Sequence, residues 1–276
     1  MPMLRKILKN PQAAIGLMFI LLLCLAAVLA PILAPNDPGL VNPSMRYQSP
    51  SVEYPLGTDQ LGRCEWSRLL YGARASLGLA FPALLVLGGI SLLLGTLSAY
   101  RGGWLDRIVT SLYNIFIAFP SLIIAAAVIG ALGNGLENLV VAVVISMWAR
   151  FTQLIRTYAL TELSRDYITA ARVAGCGTAK IMFRYVIPNI MPQFIVYFST
   201  GVAAAILTVS SFAFLGLGLP SGTAEWGMML NDAQTAIYSH PEFLIYPGVC
   251  ILAAASGFNL FGEALRDILQ PEDDAI

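Results

Sequence analysis

Residues 12–33 carry no charged side chain, and that run decides which solvent the chain is built for. A helix needs about 20 apolar residues to cross the hydrocarbon core of a bilayer. The run follows Arg5, Lys6 and Lys9, as a signal peptide would, but the apolar part of a signal peptide is only about 7–15 residues long. A retained membrane helix is the better reading. The same pattern recurs along the chain, giving six spans: about 12–33, 76–100, 108–132, 136–149, 190–219 and 243–261. Only 12% of residues are charged, about half the share in soluble domains. Too few polar residues are left to face water around a large soluble core. The expected fold is all-α: one polytopic membrane domain, 1–276, with six transmembrane helices.

Between the spans the breaks have recognisable causes. Pro31, Pro35, Pro38 and Pro43 predict extended chain at the start of a mixed polar segment, 34–75. Arg101-Gly-Gly-Trp-Leu-Asp106 and Gly133-Asn-Gly135 predict tight turns. The fourth helix gains Arg150, Gln153 and Arg156, so it is expected to project into water, with Arg150 at the inner interface. Pro82, Pro120 and Pro192 are expected to kink or bound helices. Ser91/Gly95 and Gly201/Ala205, each four apart, predict close helix contacts.

Lysine and arginine set the orientation. With the N-terminus inside, twelve of them lie inside and four, Arg46, Arg63, Arg68 and Arg74, outside. The expectation is N-in and C-in, with 34–75 and 220–242 as extracytoplasmic loops and 164–189 as a cytoplasmic loop. Of the four cysteines only Cys64 then faces an oxidising compartment, so no internal disulfide forms there. Zero net charge argues against nucleic acid as a partner.

The 164–189 loop is a polar island between apolar runs. Tyr167, Ala170, Ala171 and Ala174 fall on one face of a helix, flat because alanines are small. Gly175 and Gly177 are expected to end it, and Thr178 to cap a second helix that carries Ile181 and Tyr185 and stops at Pro188. This pattern suits docking in a groove, and equally a loop resting on its own membrane domain.

The run Thr169-Ala-Ala, Gly175, Tyr185-Val-Ile187-Pro188 resembles the EAA signature of ABC importer permeases. Thr169 stands where that signature has Glu, and Tyr185 where it has Ile. Leu56-Gly-Thr-Asp59-Gln-Leu-Gly-Arg63, Ser67-Arg68, Gly72-Ala-Arg74-Ala-Ser-Leu77, Phe214-Leu-Gly-Leu-Gly218, Glu225-Trp-Gly227, and Gly262-Glu-Ala-Leu-Arg266-Asp with Pro271 resemble the dipeptide/oligopeptide/nickel branch, most of all its second ("C") permease. Cys64 replaces the usual Asp of that branch.

The resemblance implies the type I ABC importer transmembrane fold in the bacterial inner (plasma) membrane. The implied partners are a second homologous permease, two ATPases that bind ATP and Mg, an extracytoplasmic binding protein, and membrane lipid. It implies no cofactor in this chain. Thr169, Ala170, Ala171, Arg172, Gly175, Tyr185, Ile187 and Pro188 would couple to the ATPase. Losing the acid at Thr169 removes a salt bridge there. Asp59, Arg63, Glu225, Trp226, Asp232 and His240 would meet the binding protein or line substrate access. The implied cargo is nickel, a nickel chelate, or di- or oligopeptides, with nickel complexes the first reading.

Other classes fit less well. No Walker A pattern occurs, so ATP hydrolysis is not expected of this chain. An ion-coupled secondary transporter, the alternative, needs intramembrane carboxylates or histidines that the spans nearly lack. A membrane hydrolase lacks a nucleophile or metal pair. His240 beside Glu225, Asp232 and Glu242 is too sparse for a transition-metal site, and Met228 and Met229 read as packing.

Overall fold

The computed structural model describes residues 7 and 9–269; Arg5, Lys6 and Pro271 lie outside them. Helix α1 spans Pro11–Leu33, α2 Glu65–Arg101, α3 Gly103–Ala118, α4 Ser121–Leu132 and α5 Leu136–Leu163. Then come α6 Asp166–Val173, α7 Thr178–Ile181, a π turn Met182–Val186, α8 Ile187–Phe214, α9 Trp226–Ala233 and α10 Glu242–Leu269. There is no β-strand among the described residues, only one isolated bridge between Thr58 and Cys64.

Five continuous helices are long and apolar enough to cross a membrane. The sixth expected span is broken. Helices α3 and α4 meet at 96°, so six crossings result only if the bent pair counts as one. The cause is local: Phe119 is extended and Pro120 is the N-cap of α4, because a residue before proline is pushed out of helical geometry. Two other boundaries differ from expectation. Pro31 lies inside α1 instead of ending it. Helix α2 begins at Glu65, so residues 65–75 are helix rather than loop.

Helix α2 is the centre of the bundle and packs against α1, α5 and α8. Glycines set how closely. A Cβ on Gly95 would lie 2.9 Å from the Arg156 backbone nitrogen and 3.0 Å from Ile155. Ser91, one turn earlier, is fully buried and accepts from the Thr152 hydroxyl at 3.2 Å. Gly201 sits against Phe151 and Leu84, and Gly16 against the α10 backbone at Gly257 and Phe261. The expected close contacts at Ser91/Gly95 and Gly201/Ala205 are therefore present. By contrast Gly89, on the same α2, has nothing near its missing Cβ.

Overpacking a tight helix contact costs about 1–3 kcal/mol, whereas alanine gains about 1 kcal/mol over glycine in an open helix position. Gly95→Ala should lower the thermal unfolding midpoint of the detergent-purified protein, and Gly89→Ala should leave it equal or higher.

Candidate functional site

At one end of the bundle the two long loops are locked together by charge. Asp59 accepts from the backbone N–H groups of Leu61 and Arg63 at 2.8 and 3.0 Å, forming a tight turn completed by Gly62 in the left-handed region. That turn aims Arg63 back at Asp59, 2.6 Å away, and onward to Asp232, 2.7 Å away. Arg68, from the first turn of α2, also reaches Asp232 at 3.0 Å and donates to the Gly222 carbonyl at 3.1 Å. Both arginine side chains are at most 2% exposed. Two cations facing two carboxylates leave this clasp balanced, which is what permits its burial.

A second buried knot lies beneath it. Glu225 caps α9, accepting from the Met228 N–H at 2.9 Å, and its carboxylate also accepts from Ser76 at 2.7 Å and Ser210 at 3.2 Å. Burial pushes its carboxyl above the ordinary range, and the hydrogen bonds from Ser76, Met228 and Ser210 pull it partly back. Trp226 is fully buried, with its indole N–H donated to the Leu69 carbonyl at 3.1 Å. Gly227 lies so close to Ser210 that a Cβ would sit 2.1 Å from that carbonyl.

These positions correct the reading of the outer residues. Asp59, Arg63, Glu225 and Trp226 present almost no surface to a binding protein or substrate; they fasten loops to α2 and α8. Polar groups in an apolar fold are used on each other first, because burying them unpaired costs several kcal/mol. Asp232 is the partly exposed rim of the clasp. His240 stacks on Tyr47 at 4.3 Å and faces Glu242 at 3.0 Å. No group of three or more metal-ligating side chains occurs among the described residues.

At the other end stands the 164–189 loop. Helix α6 closes with Cys176 N–H donating to Ala171 O and Gly175 N–H to Arg172 O, with Gly175 at φ +76°. That double hydrogen bond requires a left-handed residue, hence glycine. Ile168 turns inward onto Ala99, Ala159, Ile181 and Val186, and Ala171 is buried as well. Thr169, Ala170, Arg172, Val173 and Ala174 are exposed, and so is Phe183. Arg172 lies over the Tyr100 ring, 5.4 Å from its centre. Tyr167 bonds to Glu162 and receives the Asn189 amide at 3.1 Å, bracing the loop between α5 and α8.

Several details depart from the sequence reading. Ala171 and Ile187 are buried in this chain, so neither offers the exposed face expected of it. Gly177, not Thr178, occupies the N-cap of α7, and it has an ordinary negative φ. Pro188 does not end the helix. Ile187 N–H reaches back five residues to the Met182 carbonyl, and this wider π turn passes Pro188 into α8 without a break. An α-helical turn would drive the proline ring into the Arg184 carbonyl.

Between the two ends, α4, α5 and α8 line a cleft of about 480 Å³. Its walls include Ser121, Ser146, Arg150, Tyr197, Thr200 and Thr208. Arg150 thus lines a hollow rather than simply marking the inner interface. Gln193, Tyr197, Thr200 and Thr208 are separated by four, three and eight residues, a helical stripe that was legible in the sequence but masked by the apolar average around it.

Residues 91–272 match the family described as binding-protein-dependent transport system inner membrane component. The chain belongs to that family. Residues 3–50 match the N-terminal transmembrane domain of oligopeptide transport permease C. The dipeptide transport system permease protein DppC of Alkalihalophilus pseudofirmus is 35% identical over 97% of this chain and 88% of its own length. The nickel transport system permease protein NikC of Escherichia coli is 33% identical over 93% of both chains. The metal-staphylopine import system permease protein CntC of Staphylococcus aureus is 34% identical over 98% of this chain and 94% of its own. The fold is that of type I ABC importer transmembrane domains, and the chain is a C-type, multi-pass inner-membrane permease subunit. The secondary-transporter alternative is set aside.

Removing one partner from a buried charge cluster costs about 3–5 kcal/mol. Asp232→Ala should therefore loosen the outer loops and open Arg63 and Arg68 to trypsin, whereas the native protein resists cleavage there under the same conditions.

Proposed function

We propose that this permease forms half of the translocation pathway of an ATP-driven importer, and that its 164–189 loop takes up the motion of a cytoplasmic ATPase. One observation carries this reading: the loop offers exposed Ala170, Val173, Ala174 and Phe183 while remaining continuous with a span. Residues 178–214 run as one helix through the π turn. A push on the exposed face is thereby delivered to the middle of the bundle, and Tyr167, Glu162 and Asn189 tie the same loop to α5.

The assembly would comprise a second, homologous permease, two ATPases carrying ATP and Mg, and an extracytoplasmic binding protein. The relatives' names span dipeptide, nickel and metal-staphylopine transport, so the cargo proposed is a di- or oligopeptide, or nickel or its chelate. The binding protein would rest on the outer loops, where Tyr238 and Val52 are fully exposed beside the His240–Tyr47 stack. Orientation would be N-in and C-in. The excess of lysine and arginine on the N-terminal side of the membrane, twelve against four, supports this.

Gly175→Asp meets no neighbouring atom but strains a left-handed backbone. In the assembled transporter it should cut ATP-driven uptake at least about tenfold, the loss of roughly 1.4 kcal/mol of coupling, while membrane insertion is retained. Normal uptake by correctly inserted protein would sink the coupling role. Topology has its own check. In a cysteine-free background, Ser221→Cys should react with an impermeant maleimide from outside and Thr178→Cys only from inside; reversed sidedness would refute N-in and C-in.

A further inference from the structure

Arg150 borders the polar cleft and makes no ion pair among the described residues. It lies fourteen residues into α5, about 21 Å along the helix axis at 1.5 Å per residue. If α5 crosses the membrane from its first residue, that places Arg150 within or at the edge of a hydrocarbon core about 30 Å thick. Charged side chains at such depth are costly and normally pair with an opposite charge. Arg156, two turns on, does so, with a bidentate contact to Asp106 at 2.6 Å through both nitrogens. Arg150 has no ion pair with any described residue, and it is exposed to the cleft.

Its surroundings are those of a polar track. The Ser146, Thr200 and Thr208 side chains line the same cleft. A second hollow of about 420 Å³ continues past Arg150 with Gln153, Thr157 and Tyr197, and a third of about 440 Å³ with Tyr158, Gln193, Glu263 and Arg266. Tyr197 borders all three, held by its ring contact with Phe151 at 4.6 Å. The first two hollows are lined by no carboxylate; Glu263 appears only in the third, beside Arg266.

We propose that Arg150 pairs with the carboxylate of a small amino-acid-derived solute, a peptide or a carboxylate-bearing metal chelate, as it crosses the membrane through this cleft. The inference rests on the permease reading above and narrows its cargo. A carboxylate stripped of water inside the bilayer needs a counter-charge, and a planar guanidinium supplies both the charge and the donors. A bare nickel ion meets the opposite conditions, a cation in its path and no acid to hold it. The arginine thus lowers the barrier to passage rather than the affinity of delivery, which belongs to the binding protein.

The intact complex, purified with its own binding protein and placed in proteoliposomes, tests this with three probes: dialanine, a nickel–dihistidine complex and bare Ni²⁺. ATP-driven uptake of dialanine or the chelate is expected, and which of the two is taken up tells a peptide source of the carboxylate from a chelate source. Arg150→Gln should lower the turnover of that uptake at least about tenfold with KM unchanged, and Arg150→Lys should keep most of it. A merely structural role would show as failed assembly in both variants. ATP-driven uptake of bare Ni²⁺ alone, wild-type turnover in Arg150→Gln, or a full loss shared by Arg150→Lys would overturn the proposal and leave the permease reading standing. No ATP-driven uptake of any probe would instead count against both.

Discussion

The close approach of α2 to α5 is the contact on which the rest of this structure depends. It exists because Gly95 has no side chain and Ser91 turns its hydroxyl toward Thr152. Inside a bilayer there is no hydrophobic gain from bringing two apolar helices together, so small residues and fitted surfaces must do it. With α5 drawn in, Phe151 and Leu84 meet Gly201 of α8, and the three helices become one packed unit. The polar cleft opens on the side of this unit where α5 and α8 diverge toward α4.

Each end of that unit is finished differently. The end carrying residues 34–75 and 220–242 is closed by buried charges: Arg63 and Arg68 against Asp59 and Asp232, with Glu225 held by two serines. Such groups fix geometry, since any displacement leaves an unpaired charge in an apolar setting. The end carrying residues 164–189 is held by a small apolar cluster around Ile168 and Ile181, and it leaves Val173 and Phe183 exposed. One end is locked and the other offers a surface.

The π turn at 182–186 joins these themes. Proline in a helix ordinarily produces a kink, and a kink between the inner loop and α8 would absorb motion. Widening one turn ahead of Pro188 removes the clash and keeps the rod continuous. The break occurs instead at Phe119–Pro120, where α4 swings to bring Ser121 to the cleft wall. Two prolines with the same local preference therefore serve opposite ends, one preserving a rod and the other folding it.

Much of this was legible in the amino-acid sequence. Uncharged runs of helical length set the class, because nothing but helices can satisfy a backbone polar group within a single bilayer span. The glycine at 175 marked a left-handed helix end, and the four-residue small pairs marked close contacts. Those features are local, carried by composition and spacing alone. What the sequence could not assign was the partner of each polar group. Asp59, Arg63, Glu225 and Trp226 looked like an outer contact surface, and became an internal fastening only when residues far apart in the chain met, as Ser76 does with Glu225, 149 positions on, and Arg68 with Asp232, 164 positions on. Arg150 looked like an interface anchor for the same reason. Whether a charge is paired, and so whether it holds the fold or awaits a ligand, depends on distances across the bundle, and only the tertiary structure decides those.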